Sequence, residues 1–416
     1  MLEKGSSVAV IGAGIVGLAT ACQLAEAGMT VTLIDRGEPA TLGPSGGNAG
    51  MLAATGIFPL GTPGIWKDAL SMWLDTKGPL HIPLRNLPEV APWLIKFLRA
   101  STKENYRAGV AALAALNEHA NVESEALYTR AGLHNAIRKT GTFNLYETEQ
   151  QFRAETTKWE DRTRYGIPWQ ALSLDELAER EPDMNTGAFA HAVYMPGFWH
   201  VSDPYHVAQG LAGYAQRLGV AFRQNTVAAV RPEGIRTFIQ LQDGNSVHAD
   251  ATVIAGGIWS RALAKTLGDR LPLVAERGYN ATLTDPGVTV NHSMSFSHHG
   301  FVLTPLETGL RIGGQVELGG TERPPNHART ATMLGIVKRF FPGLQTEQGP
   351  RWMGARPSTP DSLPAIGPSK ASPRILYACG HGHYGLTQSA ITGKLIAGYL
   401  AEGSALPEPF LPARFG

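Results

Sequence analysis

The chain has 416 residues, 43% of them hydrophobic, which is enough for more than one ordinary core and predicts two domains. Its 36 basic and 35 acidic residues give a formal net charge of +1, with no basic run interleaved with aromatics, so composition does not indicate a nucleic-acid partner. Only two cysteines, Cys22 and Cys379, are present, which favours a reducing, cytoplasmic compartment over a disulfide framework. No apolar run reaches about 18 residues, so we expect no ordinary transmembrane helix.

The first elements of the chain are a strand at residues 8–11, a glycine-rich turn and a helix. In such a turn Gly12 allows a tight bend, Gly14 lets the backbone approach a pyrophosphate, and Gly17 lets the helix lie close to the strand. A second strand ends at Asp35, eighteen residues beyond Gly17. A carboxylate there accepts ribose hydroxyls and repels a 2′-phosphate. The stretch therefore predicts a dinucleotide-binding unit.

Three stretches follow before residue 130. The glycine-dense loop at residues 43–50 is suited to lie against a planar ligand, with the Asn48 amide as a hydrogen-bonding group, although a flexible linker has the same composition. Residues 57–100 are rich in Pro, Trp and Leu and predict a cap of short helices. We place this cap at a pocket entrance, with a membrane surface as the alternative. Residues 104–130 predict one long helix.

The middle of the chain is predicted from caps, turns and periodicity. The elements are a strand at 142–146, a helix at 173–181 with a capping box from Ser173 to Glu176, a helix beginning at Asp203 and Pro204, a hairpin turning at Asp243-Gly244, a strand at 252–255 that runs into Gly256 and Gly257, and antiparallel strands between 279 and 314. Paired glycines after a strand indicate close approach of the backbone to a ligand.

A second glycine motif, residues 380–385, lies between a strand at 375–378 and a helix at 387–401. A second unit for a nicotinamide cofactor would need another strand with a terminal acid, and residues 402–416 offer neither. We therefore interpret this helix N-terminus as facing the other end of the first cofactor, where its dipole stabilises negative charge. Reduced flavin carries such a charge near N1 and nicotinamide does not, which favours FAD over NAD.

Seven motifs in this order resemble the FAD-dependent D-amino-acid oxidase superfamily, most closely its bacterial D-amino acid dehydrogenases. They are V-I-G-A-G-I-V-G with Asp35, S-G-G-N-A-G from Ser45, D-P-Y from Asp203, I-A-G-G-I-W-S from Ile254, R-G-Y from Arg277, G-A-R-P-S-T-P-D from Gly354 and G-H-G-H-Y-G-L-T from Gly380. The resemblance covers nearly the whole chain.

The resemblance implies an α/β fold with two interleaved domains. A discontinuous, Rossmann-like FAD-binding domain would comprise residues 1–56, 196–264 and 350–416, and an α+β substrate domain on a mostly antiparallel sheet would comprise 57–195 and 265–349. The cofactor-binding residues predicted from the motifs are Gly12, Gly14, Ile15, Val16, Gly17, Asp35, Arg36, Ser45, Gly47, Asn48, Ala49, Gly50, Val227, Gly256, Gly257, Trp259, Gly382, His383, Tyr384, Gly385, Leu386 and Thr387.

For the substrate, the resemblance implies that Arg356, the arginine of G-x-R-P, binds the carboxylate. A guanidinium is the natural bidentate partner of that group. Arg277 and Arg311 are rivals, although we expect Arg311 to make a structural pair with nearby Glu317. Tyr279, the tyrosine of R-G-Y, is predicted either to hydrogen-bond the carboxylate or to pack beside the pocket.

Three further points concern a cysteine of the family that is missing here and two pairs of histidines. In the sarcosine oxidases of the superfamily a cysteine before T-P-D holds the flavin, whereas residues 354–358 contain none, so we expect non-covalent FAD. His381 and His383 are interpreted as groups that support the flavin side by stacking or hydrogen bonding, with a catalytic base as the alternative. His298 and His299 have no partner at ligand spacing, so no metal site is predicted.

The predicted activity is oxidative deamination of D-amino acids, in which hydride passes from Cα to flavin N5 and the imine hydrolyses to a 2-oxo acid and ammonia. Electrons would pass to a quinone or dye-like acceptor, and a narrower version has a cyclic substrate such as D-proline or hydroxy-D-proline. The alternatives are a glycine or sarcosine-type oxidase that uses oxygen, a non-catalytic FAD-binding subunit, and an NAD(P) dehydrogenase. The predicted location is cytoplasmic, with peripheral contact with the inner membrane kept open.

Overall fold

The structure is a computed structural model that describes residues 1–65, 80–318 and 320–416. Two tryptophans of the predicted entrance cap, Trp66 and Trp73, lie outside these residues. Strands and helices are numbered in chain order. The helices are α1 (Ile15–Glu26), α2 (Leu87–Ala100), α3 (Lys103–Asn117), α4 (Ala120–Arg130), α5 (Glu149–Ala154), α6 (Thr156–Arg164), α7 (Leu174–Arg180), α8 (Pro204–Arg217), α9 (Ser260–Thr266), α10 (Ala328–Phe340) and α11 (Gly385–Glu402).

A six-stranded sheet carries the predicted dinucleotide unit. Its strands are β1 (Ser7–Ile11), β2 (Thr30–Asp35), β10 (Ala221–Gln224), β14 (Ala251–Ile254), β20 (Ala365–Ser369) and β21 (Ser372–Cys379). They lie in the order β10-β2-β1-β14-β21-β20, and all neighbours are parallel except β20 and β21. The central strands are buried on both faces, which explains their continuous apolar sequences. The predicted strand, helix and strand at the start of the chain are confirmed.

Helices α1 and α11 pack closely on this sheet. A Cβ at Gly393 would lie 2.9 Å from the carbonyl oxygen of Ala19, so a side chain there would separate the two helices. The predicted N-cap Asp203 is confirmed, because its carboxylate accepts hydrogen bonds from the first backbone amides of α8. The capping box before α7 is confirmed as well.

The single helix predicted for residues 104–130 is wrong, because the structure has two helices, α3 and α4, there. The break follows Asn117, a buried residue whose side chain bonds outside its own helix. Its amide donates to the carbonyl of Gly56 at 2.8 Å and accepts a bond from Gln388 at 2.9 Å. The apolar periodicity continues through the break, so the sequence pattern did not reveal it.

Two further sheets have three strands each. One contains β11 (Val227–Glu233), β12 (Arg236–Leu241) and β13 (Ser246–Ala249), and the other β3 (Met51–Leu52), β5 (Ile137–Arg138) and β9 (Trp199–Val201). The predicted turn at Asp243-Gly244 connects β12 and β13, and Gly244 has a φ of 88°, in the left-handed region that favours glycine.

A nine-stranded sheet forms the second half of the molecule. Its strands are β4 (Leu80–His81), β6 (Thr142–Tyr146), β7 (Gln170–Leu172), β8 (His191–Met195), β15 (Val274–Leu283), β16 (Ser293–Phe296), β17 (Phe301–Leu306), β18 (Gly309–Leu318) and β19 (Arg351–Ser358). The order is β19-β15-β18-β17-β16-β6-β8-β7, with β4 beside β18. The pairs are antiparallel except β16 with β6 and β18 with β4, which confirms the mostly antiparallel sheet.

The domain boundaries stay a prediction, and two contacts in the structure run across them. Strand β19 pairs with β15 in the nine-stranded sheet, although residues 350–416 were predicted to be cofactor domain. Its proline content hid it, and proline is tolerated because β19 is an edge strand. Helices α3 and α4, predicted in the substrate domain, share the hydrophobic core of α1 and α11. None of the helices in the described ranges is long and apolar enough to cross a membrane.

Candidate cofactor and substrate site

A cavity of about 340 Å³ opens at the carboxyl ends of β1, β2, β14 and β21. We call it the strand-end cavity. Ligands of open α/β sheets bind at this edge, outside the carboxyl ends of the strands. The predicted cofactor residues that line it are Gly12, Gly14, Ile15, Val16, Asp35, Arg36, Ser45, Val227, Gly256, Gly257, Trp259, Gly382 and Gly385.

The three glycines of the first turn have different geometric reasons to be glycine. Gly12 has a φ of 109°, and a Cβ on it would lie 2.5 Å from the carbonyl oxygen of Ala255. A Cβ on Gly17 would lie 1.8 Å from the carbonyl oxygen of Gly12, so the helix could not pack as it does. A Cβ on Gly14 would meet only the Ser45 hydroxyl, at 3.0 Å, and would otherwise occupy the cavity. Gly14 thus leaves room for a ligand to reach the backbone.

The far end of this cavity has the groups expected for an adenosine. The Asp35 carboxylate accepts hydrogen bonds from the backbone amides of Ala13, at 2.6 Å, and Gly37, at 3.1 Å, which fix it at the end of β2. The guanidinium of Arg36 stacks 4.0 Å from the ring centre of Trp259. This end therefore offers a fixed carboxylate beside a planar stack.

A second cavity, of about 550 Å³, adjoins the first and is lined on one side by strands of the nine-stranded sheet. We call it the sheet cavity. The two cavities share part of their wall, because the same residues line both: Ile15, Pro44, Ser45, Gly382 and Gly385. The other predicted site residues that line it are Gly47, Asn48, Ala49, Tyr279, Arg356, His383, Tyr384 and Leu386. Gly17, Gly50 and Thr387 line neither cavity.

The loop at residues 43–50 is held in place by defined contacts. The Asn48 side chain donates to the carbonyl of Ser45 at 2.6 Å and accepts from the amide of Gly50 at 2.7 Å. Asn280 donates to the carbonyl of Gly47 at 2.5 Å, and a Cβ on Gly47 would overlap the ring of Trp352. The amide of Asn48 thus shapes the loop, and the linker alternative does not fit these contacts.

Arg356 lies in the sheet cavity with its side chain 23% exposed. Its Nη1 donates to Glu276 Oε1 at 3.0 Å and to the backbone carbonyl of Gln315 at 3.3 Å. The guanidinium crosses Gly278, where a Cβ would lie 2.3 Å from Nη2. Nη2 and Nε make no hydrogen bond within the described part of the chain. Two donor nitrogens of Arg356, Nη2 and Nε, are therefore left for a ligand.

Glu276 holds this arrangement together. It is buried, and besides Arg356 it accepts hydrogen bonds from Ser358, at 2.7 Å, and from His383 Nε2. Burial alone would raise the pKa of Glu276, but the adjacent His383 and Arg356 and the bond from Ser358 lower it to about 2. Glu276 is thus a carboxylate at neutral pH, and it links the arginine of β19 to the glycine turn before α11.

The two rival arginines are engaged elsewhere. Arg277 is fully buried and donates to Glu317 at 3.1 Å and to the carbonyls of Arg323 and Pro324. The expected pair of Arg311 with Glu317 is wrong, because six residues along a strand separate them by about 20 Å. Arg311 instead donates to the carbonyl of Asn48 at 2.7 Å and to Thr282 at 2.9 Å.

Tyr279 is buried, and its hydroxyl donates to Glu317 Oε2 at 2.6 Å. This geometry favours the packing alternative, because the hydroxyl already donates its hydrogen bond to Glu317.

His381 is also buried. It hydrogen-bonds Thr392 at 2.9 Å, and burial lowers its pKa to about 3. Its imidazole is neutral and bonded to α11, although the residue also lines the strand-end cavity.

Sequence reasoning missed Gln315 and Arg162, which line the sheet cavity, and also Glu276, which hydrogen-bonds two residues that line it. Glu276 precedes the R-G-Y motif without a signal of its own. Gln315 is buried and has a φ of 59°, and its Oε1 has no hydrogen-bond partner in the described part of the chain. Such a strained and unsatisfied state is typical of functional sites. Arg162 lies on the polar helix α6, where the sequence pattern predicts a solvent-exposed arginine. Only the packing of distant elements brings the three together.

Other sequence predictions concern metal and thiol chemistry. Among the described residues there is no group of three or more His, Cys, Asp or Glu side chains that could hold a metal ion. Cys379 lines the strand-end cavity, but burial raises the pKa of its thiol to about 12. Burial likewise raises the pKa of Cys22 to about 12. Neither thiol is a nucleophilic thiolate at neutral pH.

A glycine turn at a helix N-terminus, a carboxylate at the end of β2 and a second cavity under an antiparallel sheet together define a flavin-dependent oxidoreductase. The chain belongs to the family described as "FAD dependent oxidoreductase", which matches residues 7–399. The open space at Gly14 and the fixed Asp35 fit the diphosphate and ribose of FAD, so the site agrees with the family's cofactor.

Among curated proteins, the chain is 34% identical to a D-amino-acid oxidase of Bradyrhizobium diazoefficiens, over 100% of both chains. It is 31% identical to a D-amino acid dehydrogenase of Xylella fastidiosa, over 94% of this chain and 91% of the relative. Among solved structures, glycine oxidase from Geobacillus kaustophilus superposes with a TM-score of 0.74 and 24% identity, covering 99% of both chains. The similarity to this glycine oxidase shows only that the two proteins share a fold.

Proposed function

We propose that this chain oxidises D-amino acids at Cα, giving an imino acid that hydrolyses to a 2-oxo acid and ammonia. The observation that carries the proposal is Arg356, whose guanidinium lies in the sheet cavity with Nη2 and Nε unbonded within the described residues. Two parallel N–H donors match the two oxygens of a carboxylate. The names of the full-length relatives support an amino acid of the D series as the substrate.

In this proposal FAD lies across both cavities and is bound non-covalently. The turn from Gly12 to Gly17 and the Asp35 carboxylate hold its adenosine diphosphate part. The turn at residues 382–385 and the N-terminus of α11 face its other end. When bound, the flavin accepts the hydrogen and two electrons removed from the substrate Cα. The predicted site residues and the two-domain division belong to this proposal.

The protein residues would position the substrate. Arg356 fixes the carboxylate, so that one face of Cα is presented to the cofactor. Glu276 holds the guanidinium in place and balances its charge, and it also orients His383, which lies on the same turn as Gly382. The strands of the nine-stranded sheet exclude water from one side of the cavity.

We further propose a quinone or dye-like electron acceptor, reached through peripheral contact with a membrane. The dehydrogenase names of several relatives support an acceptor other than oxygen. Helix α2 exposes 53% of Ile95 and 45% of Leu98 next to Lys96 and Arg99, a pattern typical of helices that lie on anionic lipid. Co-sedimentation with anionic liposomes tests the contact, and protein that stays in the supernatant contradicts it.

The substrate proposal is tested by anaerobic bleaching of the flavin with matched D and L enantiomers of each amino acid, including D-proline. We expect the D enantiomers to bleach the flavin and the L enantiomers to leave it oxidised. Bleaching by glycine or sarcosine alone would contradict the proposal in favour of a glycine-type oxidase, and no bleaching by any amino acid would favour a non-catalytic subunit. The yield of hydrogen peroxide in air then separates an oxidase from a dehydrogenase.

A further inference from the structure

A second arginine, Arg162, lines the sheet cavity from helix α6. Arg162 is only 8% exposed, and its Nε and Nη1 are buried with no hydrogen-bond partner among the described residues. Within the described ranges no acceptor bonds Nη2 either. Buried guanidinium donors are normally satisfied, and Arg277 in the same protein shows the usual case, with one carboxylate and two carbonyls as partners. Arg162 therefore lacks its partner.

Arg162 makes no salt bridge among the described residues, and the carboxylate of Glu155 acts on it only through electrostatic attraction. The guanidinium lies 4.2 Å from the ring centre of Trp159 and 4.8 Å from that of Phe58, and burial lowers its pKa. Glu155, which also lines the cavity, accepts hydrogen bonds from Lys158 at 2.7 Å and from the Tyr146 hydroxyl at 2.7 Å. Lys158 is thus the salt-bridge partner of Glu155, and Glu155, Lys158 and Arg162 together carry one net positive charge in a largely apolar wall.

Arg162 lines the same cavity as Arg356, and the proposed function places part of the flavin in that cavity. Tyr384, on the glycine turn before α11, lines the cavity and interacts electrostatically with Arg162. The cavity thus contains two guanidinium groups of different kinds. Arg356 forms a salt bridge with Glu276, whereas no carboxylate of the described residues forms a salt bridge with Arg162. An anion in the cavity would meet an unpaired cation at Arg162, in a desolvated setting where charge pairing is strong.

We propose that Arg162 binds a second anionic group, the side-chain carboxylate of the substrate, and that acidic D-amino acids are therefore preferred. This inference rests on the proposed function, in which Arg356 holds the α-carboxylate. The two arginines then bind the two carboxylates of a dicarboxylic substrate, with Cα near Arg356. A side-chain amide has the same shape without the charge, so the preference is for charge and not for size.

The test compares kcat/KM for D-glutamate with D-glutamine, and for D-aspartate with D-asparagine, in the wild type and in Arg162→Met. Methionine keeps the length of the apolar stem between Trp159 and Phe58. We expect the wild type to prefer each acid, and the variant to lose roughly 30-fold or more on the acids with little change on the amides. Arg164→Met is the matched control, since Arg164 is on the same helix with its side chain 69% exposed, and it should change neither ratio.

Binding gives a readout without turnover. Glutarate should perturb the flavin spectrum of the wild type at lower concentration than butyrate, and Arg162→Met should remove that difference. Equal losses on acids and amides in a variant that retains FAD would overturn the inference, since Arg162 would then be structural or the α-carboxylate site. If Arg162→Met does not fold, the wild-type preference decides: amides used as well as acids, with glutarate no better than butyrate, also overturn it.

The two proposals fail in different ways. If no D-amino acid, acidic or neutral, bleaches the wild-type flavin, the proposed function fails. If neutral D-amino acids bleach it and acidic ones do not, the proposed function stands and the role of Arg162 falls.

Discussion

The strand-end cavity is formed largely by backbone and glycines from short stretches of the chain, whereas the sheet cavity is lined by side chains from distant ones. In the first, Gly12, Gly14 and Gly17 lie within six consecutive positions. In the second, Glu276 meets Arg356 from 80 positions away and His383 from 107. The comparison teaches that a backbone cradle is visible as a local pattern, while a charge network exists only after folding.

The largest expected effect comes from changing the backbone cradle. In Gly17→Ala the new Cβ would lie 1.8 Å from the carbonyl of Gly12, so strand and helix must separate. We expect a loss of more than about 3 kcal/mol in the free energy of unfolding, or no folded protein. Thermal unfolding with and without FAD measures it.

Gly14→Ala is the matched control for that change. Its Cβ meets only Ser45 Oγ, at 3.0 Å, and projects into the cavity. We expect near-normal stability of the apoprotein but roughly tenfold or greater loss of FAD affinity, measured by titration. If Gly14→Ala binds FAD normally, the diphosphate does not approach this turn.

The next effect concerns the side-chain network. Glu276→Gln removes the carboxylate that links Arg356 and His383, and we expect about 3 kcal/mol of destabilisation at neutral pH, measured by urea unfolding. Because the folded pKa of Glu276 is lowered to about 2, its contribution is present above its ordinary pKa of 4.5 and is lost as pH falls towards 2. The variant should lack this acid-dependent loss. Parallel pH profiles for wild type and variant would contradict the account.

The contrast between the two cavities explains which elements and site residues could be predicted from the sequence. The dinucleotide unit, the caps of α7 and α8 and the second glycine turn were predicted because each depends on neighbouring residues. The break after Asn117 and the strand β19 were missed because contacts with Gly56 and with β15 decide them. Arg356 was placed by resemblance, but its partner Glu276 and the buried Arg162 have no sequence signal, since burial there is set by long-range packing.

A smaller effect is expected from His381, a buried residue at the wall of the strand-end cavity. Burial lowers its pKa to about 3, so the folded state favours the neutral ring, and this stability is present above the ordinary pKa of 6.5 and is lost as pH falls towards 3. Between pH 7 and pH 5 the loss from this group should be about 2 kcal/mol. In His381→Gln the free energy of unfolding should depend less on pH in this range. An unchanged slope would mean that the histidine titrates normally.

The last prediction needs no mutation and is that FAD is not covalently bound to the protein. Residues 354–358 contain no cysteine, and the thiol of Cys379 beside the strand-end cavity is protonated. Acid precipitation should therefore release all the yellow colour into the supernatant. A yellow pellet would show a covalent flavin and would require another attachment residue.

The central claim is that Arg356 binds the substrate carboxylate beside the cofactor. Its most direct test is Arg356→Leu assayed with a D-amino acid and with the corresponding amide, next to Arg351→Leu, which removes an exposed arginine of the same strand. Breaking a buried charge pair costs about 2–5 kcal/mol, so kcat/KM for the acid should fall roughly 30-fold to several thousandfold in Arg356→Leu, with FAD content kept and the amide much less affected. Arg351→Leu should behave as the wild type. Equal losses on acid and amide, or loss of FAD, would contradict the claim and place the carboxylate site elsewhere.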